Sequence, residues 1–217
     1  MSISFRKVFG ELFFPSFCCN CKALGPYLCE YCYEKLVFYA LPIPLNQLPI
    51  QELYLDGLQS ALEYEETVGS LLHYLKYEHA EDIGEFCAQL LYFSQEFPKV
   101  DFISAVPIHS LRKKDRGFNQ SEVIAKYLSE YLKIPYMQFL EKKRATRAQA
   151  TLKNQQDRLH NLDHVFSFSE KNSEFDGAKV LLIDDVCTTG TTLNACANEL
   201  KKNGISKVFG LTVAHGN

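Results

Sequence analysis

The sequence has no long hydrophobic run and little net charge. No apolar stretch reaches the roughly 18–20 residues that a membrane-spanning helix needs, so a transmembrane protein is not expected. The net charge of −3 and the isoelectric point of about 6.1 do not indicate a nucleic-acid-binding protein, although they allow a local basic patch. Residues 2–14 contain Arg6, Lys7 and Glu11 and lack the continuous apolar core of a signal peptide. We therefore expect a cytoplasmic chain.

Length and composition predict one main domain with a small appendage. The chain has 217 residues, of which 47% are hydrophobic, and this is enough material for a core. We expect an N-terminal helix and cysteine module at 1–40 and a main domain at 57–217. The segment 41–56 between them contains Pro42, Pro44 and Pro49 and shows no helical period, so it is predicted to be a linker.

Cysteine is concentrated near the start of the chain. Five of the eight cysteines lie between positions 18 and 32. Thiols stay reduced in the cytoplasm, so clustered cysteines there are more often metal ligands than disulfides. The pairs Cys18/Cys21 and Cys29/Cys32 have the spacing of a closed tetrahedral zinc site with a structural role. Cys19 is an alternative ligand to Cys18.

An amphipathic stripe precedes the cysteines. Its members recur at helical spacing and are Phe5, Val8, Phe9, Leu12 and Phe13. Packing against the zinc module is the simpler interpretation, and peripheral membrane contact is the alternative.

From residue 57 onward the pattern alternates between strands and helices. The predicted strands are 57–64, 102–107, 135–139, 165–168, 179–184 and 208–213. Apolar periodicity predicts helices around 68–75, 83–91, 123–132 and 193–200. This alternation predicts an α/β fold with a mostly parallel sheet covered by helices on both faces. Ligands of such sheets bind beyond the carboxyl ends of the strands.

The most informative segment is residues 180–192. The apolar run 180–183 predicts a buried parallel strand, and it ends in Asp184 and Asp185. The next residues are rich in hydroxyls and glycine: Thr188, Thr189, Gly190, Thr191 and Thr192. Their N–H groups and hydroxyls can hold a phosphate at a helix N-terminus. The two acids could accept hydrogen bonds from vicinal hydroxyls, so the segment suits a ribose 5-phosphate. Cys187 has no flanking activating group and is not expected to be a nucleophile.

Two further segments rich in basic or polar residues could contact other phosphate groups of such a ligand. Residues 112–116 carry four cations in five positions and follow the strand that ends at Val106 and Pro107. A solvated loop is the simpler interpretation, and a polyphosphate site at the sheet edge is the alternative. The polar stretch 142–161 could be a mobile lid or a plain surface excursion. Lys76 is expected to be exposed at a helix end, with a ligand-facing role as the alternative.

Together these elements resemble the type I phosphoribosyltransferase fold and, more specifically, the ComF competence-protein family. The resemblance covers the chain from about Cys18 to the end. Its motifs are the cysteine pairs, Leu75-Lys76-Tyr77, Val106-Pro107, Arg112 with Arg116-Gly117-Phe118-Asn119-Gln120, Arg147-x-Gln149-x-x-Leu152, Arg158, Asn161 and the acid pair.

The resemblance implies that the main domain is phosphoribosyltransferase-like and binds 5-phosphoribosyl-1-pyrophosphate (PRPP) with Mg²⁺. Asp184 and Asp185 would engage the ribose hydroxyls and Mg²⁺, and residues 188–192 would hold the 5-phosphate. The implied pyrophosphate loop contains Val106, Pro107, Arg112 and Arg116. The implied mobile loop contains Arg144, Arg147, Gln149 and Arg158.

The resemblance also implies a competence protein that acts in DNA uptake and natural transformation and handles single-stranded DNA in the cytoplasm. For some members of the family, the resemblance also implies a competence helicase as partner. The alternative is a cytosolic phosphoribosyltransferase that moves ribose 5-phosphate from PRPP to a small nucleophile. Thr188 stands where purine-salvage relatives carry a base-activating acid, which weakens a purine-salvage function. The sequence identifies neither an acceptor nor a catalytic residue.

Overall fold

The structure is a computed structural model of the chain. It describes residues 17–77, 80–143, 165–169 and 175–216. The predicted amphipathic stripe at 5–13 and the predicted lid residues Arg144, Arg147, Gln149 and Arg158 lie outside the described residues. Within the described ranges, no helix combines the length and apolar character needed to cross a membrane.

The described chain contains six helices and six strands. The helices are α1 (Glu30–Tyr33), α2 (Glu66–Tyr77), α3 (Ala80–Ser94), α4 (Ser110–Arg116), α5 (Gln120–Leu132) and α6 (Thr191–Lys202), with a 3-10 turn at Leu45–Gln47. The strands are β1 (Gly57–Glu63), β2 (Phe102–Ala105), β3 (Leu140–Lys142), β4 (Phe166–Phe168), β5 (Lys179–Cys187) and β6 (Lys207–His215).

A four-stranded parallel sheet organises the main domain. Its strand order is β1-β6-β5-β2, and every neighbouring pair is parallel. The carboxyl ends of the strands therefore meet at one edge, which confirms the predicted α/β fold. The short strands β3 and β4 form a separate antiparallel pair.

Both faces of the sheet are covered, as predicted. Side chains alternate along β5, so Leu181 and Ile183 face one core and Val180 and Leu182 face the other. The first core contains α2, α3 and α5 together with the cysteine module. The second contains α6, the β3–β4 pair and apolar residues from the predicted linker. Those linker residues are Ile43, Leu48 and Leu55.

Two local predictions were wrong. Residues 135–139 form no strand, and only Tyr136 makes a bridge, to Ile103 of β2. The Gln138 amide instead donates to the carbonyls of Ala105 (3.1 Å) and Leu140 (2.8 Å), so a side chain occupies acceptors that a ladder would use. The basic run 112–116 lies in helix α4 rather than in a loop. His109 caps α4 by accepting from the Leu111 N–H, and Gly117 ends it in a left-handed conformation (φ 84°).

Candidate functional site

The loop after β5 forms a small polar cavity. Gly190 has a φ of 71° and is the N-cap of α6, so the chain turns sharply into the helix. The cavity measures about 60 Å³ and is lined by Asp184 and residues 186–193. The hydroxyls of Thr189 and Thr191 lie 2.6 Å apart at its rim. Because the first N–H groups of a helix have no partner within it, this cavity has the donors that an anion needs.

Residues of the predicted linker pack against this loop and hydrogen-bond to the helix that follows it. A Cβ atom on Gly190 would lie 3.0 Å from Leu48 Cδ1, and Leu48 itself is buried. A side chain at position 190 would therefore meet the linker as well as adopt an unfavourable backbone angle. Asn194 of α6 also holds the segment, because its carbonyl accepts the Tyr54 N–H (2.7 Å) and its amide donates to the Glu52 carbonyl (2.8 Å).

Asp184 lies near the carboxyl end of β5. Its Oδ1 accepts hydrogen bonds from Ser121 Oγ and from the backbone N–H of Asp185, both at 2.9 Å. Burial, followed by the charge of Asp185, raises the pKa of Asp184 from 3.8 to about 7. In the absence of a cation, Asp184 is therefore poised between its charged and neutral forms near neutral pH.

Asp185 is paired with Lys76 from the last turn of α2. Lys76 Nζ lies 2.6 Å from Asp185 Oδ2, and the two side chains are 27% and 13% exposed. The Gln120 amide lies 3.5 Å from the same oxygen, and the Val186 N–H donates to the other oxygen at 2.9 Å. Lys76 is therefore not simply exposed at a helix end, because its ammonium group pairs with an acid of the predicted site.

Gln120 and Ser121 were not among the predicted site residues. Both belong to the first turn of α5, and both are buried. The available indication was topological, because α5 begins at the same sheet edge as the loop after β5. Sequence spacing alone does not show that Ser121 lies opposite Asp184.

A second, more open pocket adjoins the acid pair. It measures about 290 Å³ and is lined by Lys76, Tyr77, Arg112, Asp115 and Arg116. The Arg116 guanidinium donates to Tyr77 Oη at 3.2 Å and lies 5.1 Å from the centre of its ring. Lys76 lines this pocket and also contacts Asp185, so one side chain is shared by the pocket and the acid pair.

Val106 and Pro107 connect the basic helix to the sheet. The Val106 N–H donates to the Ile183 carbonyl at 2.9 Å, directly before the acid pair. The Val106 carbonyl accepts from the Asn119 amide at 3.0 Å. These bonds place the start of the predicted pyrophosphate loop beside Asp184, and α4 follows it with Arg112 and Arg116.

Four cysteines form a separate cluster in the N-terminal module. The Sγ atoms of Cys18, Cys21, Cys29 and Cys32 all lie within 4.8 Å of one another, and those of Cys21 and Cys29 are 3.5 Å apart. Tetrahedral coordination with Zn–S bonds of about 2.3 Å requires sulfurs about 3.8 Å apart. The cluster can therefore hold a metal ion, and its donors and spacing fit zinc.

The environment of Cys18 also suits a metal ligand. Burial opposes ionisation of this thiol, but hydrogen bonds from the backbone at Cys29, Cys21 and Asn20 outweigh it and lower the pKa to about 6.

The remaining described cysteines are buried thiols. Cys19 lies outside the four-sulfur group, and burial together with the charge of Cys18 raises its pKa to about 11. This favours Cys18 over Cys19 as the ligand. Cys187 is 2% exposed, and burial raises its pKa to about 12, which agrees with the expectation that it is not a nucleophile.

Comparison with known proteins shows the family of the chain and of its sheet domain. The family model described as "Phosphoribosyl transferase domain" matches residues 119–216. Competence protein F of Haemophilus influenzae is 32% identical over 191 residues, which cover 84% of this chain and 82% of that protein. DNA utilization protein YhgH of Salmonella typhi is 31% identical over 159 residues, covering 70% and 68% of the two chains.

A solved adenine phosphoribosyltransferase from Saccharomyces cerevisiae is also similar. It shares 13% identity with a TM-score of 0.41 and 86% coverage of both chains. The match to competence protein F exceeds 30% identity and covers most of both chains. The chain therefore belongs to the competence protein F family and carries a type I phosphoribosyltransferase domain.

Proposed function

We propose that this protein binds PRPP together with Mg²⁺ at the carboxyl edge of the parallel sheet. One observation carries the proposal: three features lie side by side at this edge. The loop cavity has the size of a phosphate and is lined in part by Asp184. Lys76 contacts Asp185 and also lines the cationic pocket. PRPP has the same sequence of groups, with a 5-phosphate, two ribose hydroxyls and a pyrophosphate. In this assignment residues 188–192 hold the 5-phosphate, and Arg112 and Arg116 face the pyrophosphate.

The residues around the acid pair fit Mg²⁺ as well as ribose hydroxyls. Mg²⁺ prefers oxygen ligands, and Asp184 and Asp185 present carboxylate oxygens. The Gln120 Oε1 atom is buried and finds no hydrogen-bond partner among the described residues, so it is available to accept from a ribose hydroxyl. Bound Mg²⁺ would neutralise charge on the acids and on the pyrophosphate.

Binding, rather than transfer to a particular acceptor, is the activity that these residues support. Thr188 is exposed and carries no group that titrates near neutral pH. Cys187 is buried with a raised pKa. Neither residue can activate a nucleophile in the way that a catalytic acid or thiolate does.

Calorimetry tests the PRPP site. We expect wild-type protein to bind PRPP in the presence of MgCl₂, and the Asp184→Asn, Asp185→Asn double variant to lose that binding. Glu141→Gln, at an exposed acid of β3, is the matched control and should bind as wild type does. An unchanged PRPP affinity in the double variant would contradict the site assignment.

We further propose that the protein handles single-stranded DNA, with the exposed basic helix α4 contacting the strand. The relatives named competence protein F and DNA utilization protein support a connection with DNA. Helix α4 carries Arg112, Lys113 and Lys114, all exposed, and Tyr77 beside it is 58% exposed. Cations that follow a backbone beside an exposed aromatic side chain are features of sequence-tolerant single-strand binding.

The salt dependence of binding tests the DNA proposal. We expect fluorescence anisotropy with a labelled oligonucleotide to show affinity that falls steeply with salt. Arg112→Gln with Lys114→Gln should reduce the slope of log K against log salt by about 1.4, at about 0.7 per phosphate contact.

The matched control is Lys179→Gln with Lys207→Gln. These two lysines are register partners at the amino edge of the sheet, so this variant removes the same charge far from α4. A DNA affinity that does not change with salt concentration would contradict the assignment to α4. An equal reduction of the salt slope in the control variant would also contradict it.

A further inference from the structure

Helix α2 connects the cysteine module to the acid pair. Its apolar side chains Val68, Leu71, Leu72 and Leu75 are buried in the core. A second stripe, Thr67, Ser70 and Tyr74, recurs at helical spacing and touches the cysteine module. The helix therefore has one face in the core and one face against the module.

Asn20 makes the central contacts of this interface. It lies between Cys18 and Cys21, inside the first cysteine pair. Its Nδ2 lies 3.1 Å from Thr67 Oγ1 and 3.5 Å from Cys32 Sγ, and Ser70 Oγ lies 3.4 Å from its Oδ1. One amide thus contacts both a sulfur of the metal cluster and the first turns of α2.

Lys22 extends the interface along the helix. Its Nζ lies 2.6 Å from Tyr74 Oη and 4.4 Å from the centre of the Tyr74 ring. It also donates to the Cys19 carbonyl at 3.0 Å. The Lys22 side chain therefore links the turn that carries the first cysteine pair to helix α2. A metal that fixes this turn therefore also fixes the position of α2.

The other end of α2 carries Lys76. Thr67 and Lys76 are nine residues apart in one helix, which corresponds to about 14 Å along its axis. The ammonium group of Lys76 lies 2.6 Å from Asp185. A continuous helix transmits a shift at its first turn to its last, so the contacts of Asn20 set where Lys76 reaches.

We propose that the cysteine module positions the PRPP site. Asn20, through Thr67 and Ser70, holds α2 in the place from which Lys76 meets Asp185 and the cationic pocket. The proposal rests on the proposed PRPP binding for its functional consequence. It makes Asn20, Thr67 and Ser70 positioning residues for a ligand that none of them touches.

The test removes the Asn20 contacts without removing a metal ligand. Thr67→Val with Ser70→Ala deletes the two α2 hydroxyls that Asn20 contacts and leaves all four cysteines and the Lys22–Tyr74 contact in place. We expect zinc content to stay at the wild-type level and the Kd for PRPP with MgCl₂ to rise at least about five-fold, the lower range of coupling between sites. Tyr27→Phe is the matched control, because it removes a module contact to Asp82 of α3 instead of α2, and its Kd should stay at the wild-type value.

Measurements in a Lys76→Met variant distinguish an effect on the position of Lys76 from a general loss of stability. Lys76→Met alone should weaken PRPP binding, and adding Thr67→Val and Ser70→Ala to it should weaken binding no further. A Kd unchanged by Thr67→Val with Ser70→Ala would overturn the proposal, and so would an equal further loss in the Lys76→Met background.

Urea unfolding of the same variants keeps the test independent of PRPP. If wild-type protein binds no PRPP, the proposed function fails while the structural link is still measured. We expect the destabilisations of Thr67→Val with Ser70→Ala and of Lys76→Met to be less than additive, because both break one chain of contacts. Additive destabilisation would overturn the link between the module and Lys76.

Discussion

The raised pKa of Asp184 makes a quantitative prediction about stability. An Asp whose pKa is higher in the folded than in the unfolded protein stabilises the fold in its protonated form, so its contribution is complete at low pH and is lost as pH rises. The change from 3.8 to about 7 corresponds to a loss of about 4 kcal/mol, at about 1.4 kcal/mol for each pH unit. About 2 kcal/mol of this loss falls between about pH 5.5 and about pH 8.

Asp184→Asn removes this titration while keeping a similar shape. We expect the variant to gain stability relative to wild type by about 2 kcal/mol when pH is raised from about 5.5 to about 8. Urea unfolding at a series of pH values, without Mg²⁺ and with zinc retained, measures the difference. Every other titrating group is present in both proteins, so the difference between the two pH profiles reports the loss of the Asp184 carboxyl.

The control variant for this experiment is Glu141→Gln, which replaces an exposed acid of β3 and leaves Asp184 in place. Parallel curves for Asp184→Asn and wild type would refute the reasoning, since they would mean that Asp184 titrates alike in the folded and unfolded chain. Addition of Mg²⁺ should reduce the wild-type loss at high pH, because a cation favours the charged form.

Further predictions concern the cysteines and one close helix contact. Cys29→Ser with Cys32→Ser should lose about one equivalent of zinc, measured by metal analysis, and retained metal would contradict the four-thiolate site. Cys187 should resist iodoacetamide in the folded protein at mildly alkaline pH, because burial raises its pKa to about 12; rapid labelling would contradict its burial. Gly84→Ala should destabilise the fold by about 1–3 kcal/mol, since its Cβ would lie 2.5 Å from Val123 Cγ1. Val123→Ala in the same chain should recover part of that loss in urea unfolding, and no recovery would place the strain elsewhere.

Local sequence patterns predicted the fold well where the conformation of a segment depends mainly on residues that are adjacent in sequence. The run 180–183 followed by two acids and a hydroxyl-rich turn determined a buried strand, a loop and a helix start, because each depends on neighbouring residues. The two cysteine pairs likewise predicted a four-sulfur cluster, since their spacing brings the thiols together within one short module. The segment 135–139 pairs with β2 at a single bridge, because beyond it the Gln138 side chain, rather than a backbone N–H, donates to the Ala105 carbonyl.

The sequence by itself determined which groups are present for the proposed binding of a phosphorylated sugar and a metal. Only the tertiary structure decided how they meet, because Lys76, Ser121 and Asp185 lie far apart in sequence and their elements converge at one sheet edge. It also decided that Asp184 is half-buried beside a second acid, and the loss of water together with that charge raises its pKa. The link from Asn20 through α2 to Lys76 has the same origin. Contacts between elements depend on how the helices pack on the sheet, and no local pattern encodes that packing.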